Sequence, residues 1–412
     1  MSYQRPKKFN PFPFEYHQIV TLKIHTLTNL GLGLGRIEIT NSDNTQASWV
    51  VMVPFTLPGE TVTARIYRNH KNYSQADLIS IIEPSPDRID PICPLFGACG
   101  GCQYQHLQYS SQLIWKQNQV TELFARIAKI NLTAQPTIGS PKTYHYRSKH
   151  TPHYNKTKST SFPIGFLKEG THNQIIDVPQ CPIATDAINQ KLPSLRKECL
   201  LPEKPLHATL LLRDTGTEVC TQPKSIVQET VGKYTYQFVA GEFFQNNPFI
   251  LPELINYVIQ QAQGNNIQYL VDAYCGVGMF AIAASQYFSH CTGIEINTQA
   301  ITLATKNAHN NQVTNCTFVG GSAEKIFSHI SYNNQQTTVI IDPPRKGCDA
   351  HFLEQLIAFS PQRIVYISCA PDTQARDAAF LVNHGYSPIA LQPFDLFPQT
   401  RHIENVLTLE KS

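Results

Sequence analysis

The chain lacks any apolar run of the ~18 residues that a membrane-spanning helix requires, so no membrane partner is expected. Its first ten residues, Met1–Asn10, are polar and basic with no apolar core, which excludes a secretory signal. The net charge is only +3, too small to name a partner. The 11 cysteines are an odd number without an export signal. That argues against a disulfide framework and for reduced thiols, metal ligands or a nucleophile. A cytoplasmic, monomeric protein is expected. With 412 residues, 42% of them hydrophobic, the chain can build two or three domains with sizeable cores.

The most informative stretch runs from Thr337 to Cys369. Two apolar strand-like runs, Thr337–Ile341 and Arg363–Ile367, flank a helical segment, Ala350–Phe359. A strand–helix–strand unit makes the two strands parallel neighbours. Their carboxyl ends carry Asp342, in Asp342-Pro343-Pro344-Arg345-Lys346-Gly347, and Cys369, in Ser368-Cys369-Ala370-Pro371. In open α/β sheets ligands bind at that edge. Upstream, strand Tyr269–Ala273 contains Asp272 and runs into Tyr274-Cys275-Gly276-Val277-Gly278-Met279, followed by a helix over Phe280–Tyr287. Glu295, 23 residues after Asp272, ends the next strand, Cys291–Ile296. A carboxylate there can bind ribose hydroxyls. Two glycines without a third, plus two terminal β runs, Pro388–Phe394 and Asn405–Glu410, fit S-adenosylmethionine better than NAD. Asn247 and Pro248 read as N-cap and first residue of a helix from Phe249 to Gln263.

The remainder divides into two parts. Residues 14–84 hold five short strands punctuated by Gly31-Leu32-Gly33-Leu34-Gly35 and Pro58-Gly59-Glu60, a pattern that suits a partly open barrel of the OB type. No helix pattern follows the glycine run, so it reads as a tight hairpin or bulge and not a phosphate loop. Residues 85–241 form a central region. It opens with Cys93-x5-Cys99-x2-Cys102 in a Pro/Gly-rich loop, and the next cysteine is Cys181. Such thiols suit a zinc site or an iron–sulfur cluster, and spacing does not choose between them. A helix over 104–136 is expected to pack on the catalytic domain, residues 242–412. Ser140–Lys158 has five Lys/Arg, no Asp/Glu, and interleaved Tyr and His residues. That mixture suits backbone neutralisation and base stacking on an exposed nucleic acid.

Taken together these signatures, with Phe244-Gln245-x-Asn247 and His402-x-Glu404-x-Val406, resemble the RNA (uracil-5-)-methyltransferases. The resemblance covers nearly the whole chain and points to the branch with a TRAM domain and an iron–sulfur cluster that acts on 23S ribosomal RNA. It implies a Rossmann-like class I methyltransferase domain behind a TRAM-like barrel and a small central iron–sulfur β domain. It further implies a [4Fe-4S] cluster on Cys93, Cys99, Cys102 and Cys181, and S-adenosyl-L-methionine contacts at Gln245, Tyr274, Glu295 and Asp342. Cys369 is implied as nucleophile and Glu404 as base. The chain departs from the family pattern at Met279, Ser322 and Ala370.

Uracil C5 is a poor nucleophile until a thiolate adds to C6. A base must then remove the C5 proton. The target must be a flipped-out or loop uridine. Transfer RNA is the alternative substrate. An N-methyltransferase would need no cysteine nucleophile, and a non-catalytic RNA-binding assembly factor would need neither Cys369 nor Glu404.

Overall fold

The computed structural model describes residues 9–40, 44–156, 162–321, 326–327 and 330–412. Ser322 and the end of the basic stretch, Thr157 and Lys158, lie outside the described residues. The chain divides into two compact units. The first holds the residues up to Trp115, with Lys168–Thr171 and Gln399–Arg401, and the second holds the remainder.

In the first unit five strands, β1 (Ile19–Leu27), β2 (Leu32–Thr40), β3 (Gln46–Pro54), β4 (Thr61–Asn69) and β5 (Tyr73–Glu83), form a barrel in the order β1-β2-β3-β5-β4. A partly open barrel was the expectation, but this one is closed. β1 pairs with β4 from Ile19 to Lys23, and β5 runs parallel to β3, which seals the last gap. Inward positions alternate as a half-buried strand requires: Val20, Leu22 and Ile24 of β1 enter the core with Val51, Val53, Val62 and Ile66. The glycine run is a hairpin with a bulge. Gly31 turns at φ +77°, and the β1–β2 register shifts between Ile24 and Thr26.

In the second unit a seven-stranded sheet carries the candidate site. Its strands are β6 (Tyr269–Ala273), β7 (His290–Glu295), β8 (Cys316–Gly320), β9 (Thr337–Ile341), β10 (Arg363–Ser368), β11 (Tyr386–Phe394) and β12 (Glu404–Lys411). The order is β8-β7-β6-β9-β10-β12-β11. The first five strands are parallel, and β12 is antiparallel to both β10 and β11. The reversal between β7 and β9 beside β6 creates the crevice in which such sheets bind ligands.

Both faces of the sheet are covered. Leu270, Ile340, Val365, Ile367 and Val406 enter one core with helix α1 (Leu251–Ala262) and helix α2 (Met279–Ala284). Val271, Val339, Ile341, Ile364, Tyr366 and Leu407 enter the other with α4 (Ala350–Phe359) and α5 (Pro371–Asn383), while α3 (Thr298–Asn310) follows β7. Val120 and Phe124, at the end of the helix Tyr109–Leu123 and in the π turn behind it, share that second core. Successive strand residues point to opposite faces, and these memberships alternate accordingly.

One local expectation fails. Helix α1 begins at Leu251 behind Ile250, without a side-chain cap, and not at Pro248. Asn247 Oδ1 does accept the Phe249 amide, at 3.3 Å, but residues 248–250 form a turn ahead of the helix. The Asn247 side-chain amide donates to the Leu396 carbonyl at 3.0 Å and to Ser140 Oγ at 3.1 Å.

Candidate active site

Strand parity places the candidate reacting groups. Ile340, Val365, Ile367 and Val406 share one face of the sheet. Counting by two, Asp342 follows Ile340, Cys369 follows Ile367, and Glu404 precedes Val406, so all three fall on that face. Asp342 and Cys369 sit just past the carboxyl ends of neighbouring parallel strands. Glu404 opens β12, whose Asn405 is the register partner of Ser368. A further brace fixes that pairing. Gln374 of α5 donates to the Tyr366 carbonyl at 2.7 Å and to the Asn405 carbonyl at 3.2 Å, while the Asn405 amide donates to Gln374 Oε1 at 2.7 Å.

The electrostatics follow from burial. Glu404 is 3% exposed. Burial first, and then the Asp342 charge, hold its carboxyl well above the usual range, while Arg345 opposes them. Burial also raises Asp342. Burial, followed by Glu404, pushes the Cys369 thiol up to about 11, and Arg345 pulls it down through its charge and a hydrogen bond. A carboxyl kept neutral by an apolar site and a second acid is matched to proton exchange near neutral pH.

The expected cofactor end is built on the turn after β6. Asp272 accepts the Ala281 amide at 3.0 Å and is fully buried, which pushes its carboxyl up to about 8. Gly278 stands at φ +86°, and a Cβ there would meet the Phe318 ring at 2.8 Å, so only glycine fits. A Cβ on Gly276 would meet nothing within 4 Å, which leaves open space above the turn. Glu295 accepts the Gly276 amide at 3.1 Å and the Asn297 amide at 2.9 Å, so its carboxylate is aimed at this turn. Tyr274 has a left-handed backbone, φ +68°, and its ring lies against Phe352 of α4. Gln245 is buried behind Phe244, whose ring stacks on Phe238 at 4.2 Å. Met279 is buried and accepts the Tyr236 hydroxyl on its carbonyl at 3.2 Å. An open glycine turn with a carboxylate aimed at it fits an adenosine cofactor.

The metal expectation fares differently. Cys93, Cys99 and Cys102 belong to the first unit and Cys181 to the second. All four are free thiols, and burial raises Cys99. Among the described residues no group of three or more His, Cys, Asp or Glu side chains is placed to hold a metal ion. The implied cluster is therefore not assembled among them, and no step is assigned to it.

Sequence reading missed several positioning residues. Asp377 of α5 accepts the Tyr366 hydroxyl at 2.7 Å and the Cys348 amide at 2.8 Å, tethering the loop that follows Asp342. Gly347 fits beneath it only without a side chain, since a Cβ would lie 2.6 Å from Asp377 Oδ2. The available signal was a pair of polar residues, Gln374 and Asp377, at helical spacing with the apolar Ala378 and Leu381. Arg345 appears in the sequence only as part of the motif after Asp342, and nothing there shows that its charge bears on Cys369.

A mixed sheet in this order, a glycine turn faced by a carboxylate, and a thiol opposed to a buried acid define an α/β methyltransferase. Comparison with known proteins narrows the class. Residues 200–412 match the model of the tRNA (Uracil-5-)-methyltransferase family, and residues 14–79 match that of the TRAM domain. The chain is 41% identical to the tRNA (uracil(54)-C(5))-methyltransferase of Schizosaccharomyces pombe, over 97% of this chain and 79% of that one. It is 34% identical to the protein of the same description from Saccharomyces cerevisiae, over 97% and 75%. In fold it resembles the crystal structure of Pyrococcus abyssi tRNA (uracil-54, C5)-methyltransferase in complex with S-adenosyl-L-homocysteine. That match has a TM-score of 0.72 and 22% identity, and covers 95% of this chain and all of that one. The chain belongs to the tRNA (uracil-5-)-methyltransferase family: it is an S-adenosylmethionine-dependent RNA uracil-5-methyltransferase with an N-terminal TRAM barrel. Among the described residues no helix is long and apolar enough to cross a membrane.

Proposed function

We propose that this enzyme methylates C5 of a uridine in transfer RNA, with Cys369 as nucleophile and Glu404 as base. The observation that carries the chemistry is the opposition of Cys369 and Glu404 at the end of one antiparallel strand pair. The Cys369 sulfur adds to uracil C6 and makes C5 nucleophilic. S-Adenosylmethionine supplies the methyl group as a sulfonium, cradled by the Gly276–Gly278 turn, with Glu295 on its ribose and Gln245, Tyr274 and Asp342 around it. Glu404 then takes the C5 proton, the C5–C6 double bond re-forms, and the sulfur leaves C6. For this the Glu404 carboxyl must first give up its own proton, which burial and then the Asp342 charge make harder.

The expectation of 23S ribosomal RNA gives way to transfer RNA. Support comes from the fungal relatives, whose descriptions name uracil 54 of tRNA and which align over 97% of this chain. The basic stretch from Lys142 to Lys156, with Lys142 4.0 Å over the Phe249 ring, suits the RNA backbone. A [4Fe-4S] cluster on Cys93, Cys99, Cys102 and Cys181 rests on the family resemblance, since their spacing suits zinc equally.

The test is methyl transfer from labelled S-adenosylmethionine to unmodified tRNA and to 23S ribosomal RNA, with the product base mapped. Incorporation at a tRNA uridine is expected. Methylation of 23S RNA alone would overturn the choice of substrate, and a methylated exocyclic amine would overturn the chemistry.

A further inference from the structure

The titratable and charged groups facing the Cys369 sulfur come from three elements: Glu404 from β12, Asp342 from the end of β9, and Arg345 from the loop between β9 and α4. Burial and the two acids disfavour a thiolate. Arg345 alone favours it, and the backbone geometry brings the two together: the Thr373 hydroxyl lies within hydrogen-bond reach of the Arg345 carbonyl, at 3.1 Å, and of the carbonyl of Ala370, the residue after Cys369, at 3.0 Å. A cation beside a cysteine is the usual means of raising its thiolate fraction.

Arg345 is an exposed side chain on a loop, so its aim needs support. The backbone around it is held twice. Gly347 donates its amide to the Pro344 carbonyl at 2.8 Å, closing a turn, and the Thr373 hydroxyl donates to the Arg345 carbonyl at 3.1 Å. The guanidinium Nη2 lies 3.3 Å from His402 Nδ1. Arginine only donates, so His402 Nδ1 accepts, and the ring is neutral with its proton on Nε2. His402 lies two residues before Glu404, so one short segment supplies both the base and the support for Arg345.

We propose that Arg345 and His402 form an activating pair for the nucleophile: Arg345 stabilises the Cys369 thiolate, and His402 is the positioning residue that aims the guanidinium at the sulfur. This rests on reading Cys369 as the nucleophile. A merely RNA-binding Arg345 would leave the free protein's thiol untouched, and that separates the two roles.

The experiment measures alkylation of Cys369 by iodoacetamide in the full-length protein without RNA, following the Cys369 peptide by mass spectrometry. At about pH 8.5, below the thiol's own pKa, the rate is proportional to the thiolate fraction. Arg345→Gln should slow it roughly tenfold, one pKa unit. Arg345→Lys, which keeps a charge without the planar fork, should fall between. His402→Ala should slow it about threefold, on the same relation between rate and thiolate fraction. His402→Asn, whose amide oxygen can take the place of Nδ1, should restore the wild-type rate. Unchanged thermal melting establishes that each variant is folded. An unchanged rate in folded Arg345→Gln or Arg345→Lys overturns the proposal, and a His402→Asn rate as low as that of His402→Ala overturns the part assigned to His402. If these rates hold but wild type methylates no RNA uridine, it is the proposed function that falls. If methylation holds and the rates do not change, only this inference falls.

Discussion

Ser368 and Asn405 are backbone partners in the antiparallel pair of β10 and β12. One step outward from that pairing lie Cys369 and Glu404, on the same face of the sheet by strand parity. The separation of the proposed nucleophile and base is thus set by main-chain pairing and not by a flexible loop.

This arrangement predicts the order of covalent events. Cys369→Ala should abolish turnover by more than about a thousandfold, since it removes the covalent step, while RNA binding persists. Glu404→Gln should still add to C6 but fail to release the product, leaving a protein–RNA adduct on denaturing gels. A 5-fluorouridine substrate should trap the wild type in the same way, because fluorine cannot depart as a cation. Full activity in Cys369→Ala would sink the covalent mechanism.

Glu295 accepts the Gly276 amide of the glycine turn and the Asn297 amide at the start of α3. Glu295→Ala should weaken S-adenosylmethionine binding by roughly 1.5–3 kcal/mol, the range for hydrogen bonds to a charged group. RNA affinity should be nearly unchanged. Calorimetry with each ligand checks this, and equal losses in both would make the residue a prop for the turn.

Cys93, Cys99, Cys102 and Cys181 have the spacing of a cluster set, although no metal site is assembled among the described residues. Protein purified anaerobically should be brown and hold about four irons and four sulfides per chain, as a cubane requires. Colourless protein with one zinc, or with no metal, rejects the cluster.

Two buried carboxyls predict how stability depends on pH. Burial pushes Asp272 up to about 8 and Glu229 up to about 7. In the unfolded chain both ionise near pH 4. Between about pH 4 and pH 8 the folded state keeps protons that the unfolded state has released, so stability falls as pH rises through that window. Melting should occur at lower temperature at pH 8 than at pH 5.5. Asp272→Asn keeps an oxygen for the Ala281 amide, and it should raise melting at pH 8 and flatten the slope. A wild-type protein more stable at pH 8 would refute this.

Much of the catalytic sheet was legible because its signals are local. Thr337–Ile341 and Ala350–Phe359 were read with their observed bounds, since apolar runs and turn residues mark them off sharply. Cys369 and Asp342 could be placed together because a strand–helix–strand unit dictates parallel neighbours. The start of α1 was placed early because the bond from the Phe249 amide to Asn247 Oδ1 closes a turn over 248–250 that precedes the helix. The barrel's closure was missed because it depends on pairing between β3 and β5, which no short window reveals. The Arg345 contact was missed for a similar reason: His402 lies 57 positions away in sequence.

The β10–β12 register also bears on how the gene can change. Side chains alternate with a period of two, so deleting or inserting one residue between Glu404 and Thr408 would turn Glu404 to the opposite face, away from Cys369. That strand should tolerate substitution but no change of length. The stretch 395–403 lies outside the pairing but is held just as firmly, by the buried Lys116–Asp395 pair at 2.6 Å and by His402 against Arg345, so its length should be fixed as well.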